Sequence, residues 1–96
     1  MDRLTVVAKV VAKNECIGVV KSELLKLIAP TRQENGCIDY ILHQDVTDPS
    51  IFIFFENWKD SSSLEMHKTS DHYKAYIIAV DGMIEDKSVH KMAVVA

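Results

Sequence analysis

Three stretches of the chain alternate between apolar and polar residues with the period of two that is typical of a β-strand. In residues 3–12 one face carries only apolar side chains, whereas the other face mixes apolar with charged ones. Residues 37–45 and 51–58 alternate in a similar way, and the segment between them holds Asp48 and Pro49, which favour a turn. We therefore predict one strand at 3–12 and a hairpin whose strands span 37–45 and 51–58.

A wider spacing of apolar residues follows the first strand and predicts a helix over about residues 15–33. Asn14 is a good residue to cap the start of this helix. Pro30 is expected to bend or thin its last turns, because proline has no backbone N–H. Gly36 ends the pattern, and glycine tolerates the left-handed conformation that often closes a helix. The apolar positions that carry the helical spacing are Ile17, Val20, Leu24, Leu27 and Ile28.

The last third of the chain predicts two more helices and a final strand. A capping-box pattern that begins at Ser62, with Asp60 as a competing cap, predicts a short helix that ends near residue 68. A second apolar stripe predicts another helix over about 71–83, and the stripe includes Tyr73, Tyr76, Ile77, Val80 and Ile84. The loose alternation of residues 88–95 predicts the last strand.

The predicted order of elements is strand, helix, strand, strand, helix, strand. This order is that of the ferredoxin-like βαββαβ fold of the α+β class, a four-stranded antiparallel sheet with its helices on one face. The chain of 96 residues is long enough for one domain, which we assign to residues 1–96. The first and third strands carry apolar side chains on both faces, so a second copy should cover the face without helices. The sequence therefore predicts a homodimer that forms a dimeric α+β barrel.

Composition and charge exclude several classes of protein. Hydrophobic residues make up 48% of the chain and charged residues 26%, which is the mixture of a folded globular domain. The net charge is −3 and the basic residues are scattered, so we expect no nucleic acid as a partner. No apolar run approaches the roughly 18 residues that a membrane span needs. Because the N-terminal residues lead directly into a strand pattern without a signal peptide, we expect a cytoplasmic protein with no membrane partner.

The motifs of most cofactor and metal sites are absent from the sequence. There is no glycine-rich phosphate loop, no HExxH and no GxSxG. Cys16 and Cys37 lie in different predicted elements, and we expect both to be reduced. His67 and His72 are five residues apart, a spacing that places them on different sides of one helix and predicts no shared metal. We therefore expect no metal and no cofactor.

The strongest candidate for chemistry is the junction between the aromatic strand at 51–58 and the helix that follows it. The strand brings Glu56 and Trp58 to one end of the sheet, and His67 follows about two helical turns later. An acid, an indole and an imidazole at the edge of an apolar surface suit a small-molecule site. They are equally compatible with ordinary core packing.

Three segments together resemble the antibiotic biosynthesis monooxygenase family, and the resemblance covers nearly the whole chain. They are Gly36–Tyr40, Glu56–Trp58 and Leu64–Tyr76. The more specific feature is a Glu-x-Trp pattern followed nine residues later by His67. Members of this family are small ferredoxin-like dimers, often described as quinol monooxygenases. The segment around His67 also resembles the branch that processes the phosphorylated autoinducer-2 signal.

The resemblance implies oxygenation of a small aromatic substrate by dioxygen, without metal or flavin. A deprotonated phenol or quinol can itself pass an electron to dioxygen. The protein must then provide an apolar pocket, a base, and a donor that stabilises the developing oxyanion.

Seven residues are candidates for these roles. His67 is the best base, because imidazole titrates near neutral pH. Glu56 either orients His67 or pairs with a lysine, and Trp58 is a candidate to stack on the substrate. Tyr40 and Tyr73 are candidate hydroxyl donors. The remaining candidates are Phe52 and Phe54, as core residues or pocket wall, whereas His72, His43 and His90 are expected at the surface.

Two alternative functions remain open. The first is an isomerase or processing enzyme for a small phosphorylated carbonyl compound, which Lys68, Lys74 or Arg32 near a pocket mouth would favour. The second is a non-catalytic dimeric small-molecule-binding module, because fold alone does not fix function. A wide apolar cavity beside His67 would favour an enzyme, and a cavity filled by Trp58 and Phe54 would favour the binding module.

Overall fold

In the computed structural model, which describes residues 3–96, four antiparallel strands form one sheet in the order β2–β3–β1–β4. The strands are β1 (Leu4–Ala12), β2 (Cys37–Gln44), β3 (Ile51–Trp58) and β4 (Ile84–Met92). The helices are α1 (Ile17–Lys26), α2 (Ile28–Arg32), α3 (Ser61–Lys68) and α4 (Asp71–Ala79), and a 3₁₀ turn (Asn14–Cys16) precedes α1. The predicted ferredoxin-like βαββαβ fold is confirmed, with each predicted crossover made of two consecutive helices.

The core lies between the helices and one face of the sheet. On that face β1 and β3 align so that Val6 is opposite Glu56 and Ala8 is opposite Phe54. The helices contribute Val20, Leu24, Leu27, Leu64 and Tyr76 to the same buried cluster. The alternation in the sequence therefore assigned the buried face of β1 and β3 correctly.

The first helical segment is shorter than predicted and is interrupted at Leu27. Pro30 has no N–H to donate to the carbonyl of Lys26, so the helical ladder breaks there and restarts as α2. Asn14 lies inside the 3₁₀ turn and does not cap α1. Gly36 also does not take a left-handed conformation, because the only positive φ among residues 3–96 belongs to Gly82. The predicted glycine-terminated end is therefore wrong.

The C-terminal boundary also differs from the prediction. Helix α4 ends at Ala79, and Gly82 turns the chain with a φ of 78°. Strand β4 then begins at Ile84, which the helical stripe had included. The error arises because β4 is an edge strand whose polar residues hide its alternation, and edge strands commonly carry charge.

Two side-chain caps fix the short helices that follow β3. Asp60, rather than Ser62, caps α3: its Oδ1 accepts bonds from the N and the Oγ of Ser63, at 2.8 and 2.7 Å. Ser70 caps α4 and donates its hydroxyl to the carbonyl of His67 at 2.6 Å. Only two residues separate α3 from α4, so the chain turns sharply between His67 and His72.

Within residues 3–96 no helix covers the other face of the sheet, which is partly apolar. Ile41, Phe55 and Val7 are paired with one another across β2, β3 and β1 on this face. Phe55 is 40% exposed and Ile41 is 42% exposed. This is the surface to which the sequence assigned a second copy.

Two further properties of the chain bear on its class. Cys16 and Cys37, predicted to be reduced, are both free and half-buried. None of the helices within residues 3–96 is long and apolar enough to cross a membrane.

Candidate functional site

A cavity of about 500 Å³ lies between the sheet and the two helices that follow β3. Val6, Ala8 and Val10 of β1 form its apolar floor. Its polar and aromatic wall consists of Tyr40, Phe54, Glu56, His67, Tyr73 and Tyr76. A volume of this size falls in the usual range for small-molecule sites. The cavity is therefore large enough for an aromatic ring system. Six further charged side chains also line it, those of Lys9, Lys68, Asp81, Glu85, Asp86 and Lys87.

His67 is a buried polar group of that wall, 3% exposed, and is held by Glu34. Its Nδ1 lies 2.8 Å from Oε2 of Glu34, which follows α2. The same carboxylate oxygen lies 2.7 Å from Nε2 of His72, in the first turn of α4. Because a carboxylate only accepts hydrogen bonds, both ring nitrogens donate to it. Glu34 therefore fixes the orientation of two histidines from different helices.

The bond to Glu34 leaves His67 with one free ring nitrogen. When Nδ1 carries the proton, Nε2 of the neutral ring has a lone pair and can accept a proton. Burial lowers the pKa of His67 below its ordinary value, and the bond to Glu34 partly opposes that effect. The net lowering keeps the ring neutral near pH 7. A neutral, oriented imidazole on a cavity wall is suited to act as a general base.

The position of Glu34 depends on close packing between its loop and the start of α3. The carbonyl of Gly36 accepts a bond of 2.8 Å from the N of Lys59. The α-carbon of Gly36 lies so close to Ser63 that a Cβ at this position would collide with the Ser63 side chain. Gly36 is thus required for space rather than for its φ, and it brings Glu34 near α3 and α4.

Glu56 is the second titratable group of the cavity wall. It is 4% exposed, and its Oε1 accepts a bond of 2.8 Å from the indole Nε1 of Trp58. Burial raises the pKa of Glu56 from 4.5 to about 7; the bond from Trp58 opposes this shift, and the nearby charge of Glu34 adds to it. Glu56 can therefore change its protonation state near neutral pH.

Three tyrosines supply hydroxyl groups to the same wall. The ring centroid of Tyr73 lies 5.0 Å from that of His67, and Tyr40 stacks on Phe54 at 4.6 Å. Burial raises the pKa of each of the three phenols, that of Tyr76 to about 12. All three therefore remain protonated at neutral pH and can donate a hydrogen bond to a bound anion.

The structure brings together most of the residues predicted from the sequence. His67, Glu56, Tyr40, Tyr73 and Phe54 all line the cavity. Two others do not: Trp58 is 0% exposed and Phe52 is 1% exposed, and both lie in the core behind the wall. Trp58 was expected to stack on a substrate, but its indole has no exposed surface. The indole instead donates a hydrogen bond to Glu56.

Two predictions about the histidines require correction. His67 and His72 were placed on different sides of one helix, but they lie on separate helices and both contact Glu34. The side chain of His72 is 24% exposed, so it is mostly buried rather than solvated. The sequence left two partners open for Glu56, His67 or a lysine. Its side chain instead accepts a hydrogen bond from Trp58, and Glu34 is the carboxylate that holds His67. The spacing argument failed because the chain turns between α3 and α4.

Glu34 and Tyr76 were not predicted as site residues. Glu34 lies in the segment after the first helical pattern, where an acidic residue carries no specific signal. Its partner His67 is 33 residues away in the sequence. Tyr76 was assigned to the apolar stripe of a helix, and its hydroxyl group was the one available indication of a second role.

Comparison with known proteins identifies close relatives of this domain. The family model for antibiotic biosynthesis monooxygenase matches residues 3–78. A solved structure described as an antibiotic biosynthesis monooxygenase is 32% identical, with a TM-score of 0.91, and the match covers 97% of this chain and 99% of that one. The structure of PA3566 from Pseudomonas aeruginosa has a TM-score of 0.95 at 29% identity and covers 100% of this chain and 97% of that one.

Curated relatives give a similar result over shorter alignments. Rv0793 of Mycobacterium tuberculosis, provisionally named a monooxygenase, is 29% identical over 73 residues, which are 76% of this chain and 71% of that protein. The protein sll1783 of Synechocystis is 34% identical over 50 residues. That alignment covers 52% of this chain and about a third of the Synechocystis protein, 34% of its length.

Proposed function

Because this chain belongs to the antibiotic biosynthesis monooxygenase family, we propose that it is a cofactor-independent monooxygenase acting on a small hydroxylated aromatic of the quinol type. The observation that carries the proposal is the position of His67. This buried imidazole is fixed through Nδ1 by Glu34 and lines an aromatic cavity of about 500 Å³. The sequence left two outcomes open for this region: a wide cavity beside His67, or a cavity filled by Trp58 and Phe54. The structure has an open cavity there, which favours an enzyme.

The proposed reaction starts with removal of the phenolic proton by Nε2 of His67. The resulting phenolate passes one electron to dioxygen, and the phenoxyl radical and superoxide then combine to form a carbon–oxygen bond. The imidazolium of His67 returns its proton to the peroxide. Loss of the ring C–H proton and cleavage of the O–O bond give a quinone carbonyl and water. The substrate supplies all four electrons, so the reaction needs no external reductant.

Other residues of the wall have defined parts in this proposal. The hydroxyl groups of Tyr40, Tyr73 and Tyr76 are donors for the phenolate oxygen, whose charge would otherwise be costly in an apolar cavity. Glu56 can accept the ring proton, since its pKa of about 7 allows it to exchange protons near neutral pH. The apolar floor formed by β1 receives the aromatic ring.

The experiment that tests this function is oxygen uptake by the metal-free protein with a panel of quinols and hydroxynaphthalenes. We expect uptake that survives a chelator, falls in His67→Ala, and transfers one atom of ¹⁸O₂ to the quinone and the other to water. Uptake no faster than autoxidation with every compound would reject the proposal.

A second candidate function is the processing of a small phosphorylated carbonyl compound. Lys68 lines the cavity and could pair with a phosphate. Lys74 and Arg32, the other two cations that would favour this function, do not line the cavity. Arg32 instead donates from Nε and a terminal guanidinium nitrogen to the carbonyl of Tyr40. Turnover of sugar phosphates, abolished in Lys68→Ala, would favour this candidate over the first.

We further propose that the active form is a homodimer paired through the outer face of the sheet. The row formed by Ile41, Phe55 and Val7 supports this arrangement, because its apolar side chains are only partly covered by the chain itself. A second copy related by a two-fold axis would bury the same row on both chains.

A further inference from the structure

Glu34, His67 and His72 form a compact cluster of metal-ligand atoms from three separate parts of the chain. One nitrogen from each histidine and one carboxylate oxygen all lie within 4.8 Å of one another. Glu34 follows α2, His67 lies in the last turn of α3, and His72 lies in the first turn of α4. A loop after α2 and the facing ends of two consecutive helices thus converge on one point.

The charge of the cluster is not balanced by any permanent cation. Among residues 3–96, the side chain of Glu34 contacts the ring nitrogens of His67 and His72 and forms no ion pair with a lysine or arginine. Its negative charge therefore faces only the N–H donors of the two imidazole rings, and a bound cation in their place would neutralise it. Two imidazoles and one carboxylate are donors that divalent ions such as Zn²⁺, Co²⁺ and Ni²⁺ prefer.

Burial around the cluster suits an ion that enters from solvent. The side chain of His67 is 4% exposed, that of Glu34 18% and that of His72 24%. The inner ligand is thus rigidly packed, whereas the outer two reach the surface and leave room for water molecules as further ligands. The Glu34 oxygen lies 2.7–2.8 Å from each nitrogen. Bonds of about 2.0–2.2 Å to a central ion would require these separations to widen by roughly half an ångström.

We propose that Glu34, His67 and His72 bind one divalent transition-metal ion through Nδ1 of His67, Nε2 of His72 and the Glu34 carboxylate. The ion takes the place of the two N–H donors beside Glu34, and each neutral ring then carries its one proton on its other nitrogen. The chain thereby has a metal site whose ligands include the residue that we propose as the base.

Metal binding and proton abstraction by His67 exclude each other. A neutral imidazole that binds an ion through Nδ1 carries its remaining proton on Nε2. Nε2 is then a donor and cannot accept the proton of a phenol. The ion is thus an inhibitor of the proposed reaction. This consequence rests on the proposed function, whereas metal binding itself does not.

The binding is tested by titrating Co²⁺ into the metal-free chain, with visible d–d absorption and calorimetry as readouts. We expect saturation at one Co²⁺ per chain, displacement by Zn²⁺, and no competition from Mg²⁺, which prefers oxygen ligands. His72→Ala removes a direct ligand and should weaken Co²⁺ binding by more than about 10-fold. Loss of a residue that only supports a ligand already costs about 10-fold or more in metal affinity. His43→Ala and His90→Ala, which change exposed histidines, should bind as the wild type does.

Two results would overturn the site: no spectral change at millimolar Co²⁺, or equal losses in the His72 and control variants. If circular dichroism shows that His72→Ala is unfolded, His72→Gln, which keeps a donor for Glu34, takes its place.

Inhibition is tested separately, as loss of His67-dependent oxygen uptake on addition of Zn²⁺. Residual uptake in His72→Ala should require a correspondingly higher Zn²⁺ concentration for the same inhibition. Binding without inhibition would reject the mutual exclusion alone, and absence of uptake in every sample would reject the proposed function but not the metal site.

Discussion

The indole Nε1 of Trp58 donates a hydrogen bond of 2.8 Å to Oε1 of Glu56, two residues earlier on the same face of β3. Both side chains are almost fully buried. The bond keeps a carboxyl group at the cavity wall in a position where burial raises its pKa from 4.5 to about 7. The charge of the cavity therefore depends on pH near neutrality, and so does the stability of the fold.

We predict that Glu56→Gln is more stable than the wild type at pH 8 and similar to it near pH 4.5. The folded state binds the Glu56 proton more tightly than the unfolded state. The resulting stabilisation is fully present below pH 4.5 and is lost as pH rises through about 7. The difference is up to about 3 kcal/mol in the free energy of unfolding. Glutamine carries no charge at any pH and retains an acceptor for Trp58.

This prediction is measured by urea denaturation of both proteins between pH 4.5 and pH 8. The buried His67 has the opposite effect on the slope, because its lowered pKa favours the neutral form in the folded state. Only the difference in the free energy of unfolding between the wild type and Glu56→Gln isolates the contribution of Glu56. Glu15→Gln, at an exposed carboxyl, serves as the control. A difference that does not vary with pH would contradict the assigned charge state of Glu56.

We predict that His67→Ala lowers the catalysed rate of oxygen uptake by about 100-fold or more, the usual contribution of a general base. Glu34→Gln should lower it by about 10-fold or more, because an amide fixes the tautomer of His67 less well than a carboxylate does. The measurement is kcat with the best quinol of the panel, with Glu15→Gln as the unaffected control. Wild-type activity in His67→Ala would assign the base to another residue.

Gly36 and Gly18 should respond in opposite directions to replacement by alanine. In Gly36→Ala the new Cβ collides with the side chain of Ser63, and we expect a loss of about 1–3 kcal/mol. In Gly18→Ala the Cβ meets no atom within 4 Å and improves helix propensity in α1, so we expect a gain of about 0.5–1 kcal/mol. Thermal and urea unfolding of the two variants give both values.

The cause of the Gly36 effect is tested by a double-mutant cycle with Ser63→Gly, which removes the atoms that collide. We expect the double variant to be more stable than the sum of the two single changes predicts. Strict additivity would show that the loss comes from the backbone of Gly36 and not from its closeness to Ser63.

We predict that Phe55→Glu converts the proposed dimer into a monomer. Phe55 lies at the centre of the outer apolar row, between Ile41 and Val7. A carboxylate there would be buried without a partner in each half of the interface, which is strongly unfavourable. Sedimentation equilibrium at micromolar concentration measures the change. Val46→Glu, at a fully exposed turn residue, should remain dimeric, and a monomeric wild type would remove the barrel proposal.

The sequence by itself determined the order of the elements and the buried face of the sheet. The pairing of Val6 with Glu56 and of Ala8 with Phe54 follows from an alternation that is visible in the residue pattern. Such a pattern is local, because successive side chains along one strand point to opposite faces of the sheet. The same regularity led to the prediction of Glu56 and His67 as parts of one site.

Tertiary structure alone decided what those side chains contact. The Glu34–His67 bond joins residues 33 positions apart, and His72 joins them only because the chain turns within two residues between α3 and α4. The space for this contact depends on the missing side chain of Gly36 beside Ser63. No periodicity encodes such contacts, because they depend on how helices end and pack, which the distant parts of the chain determine together.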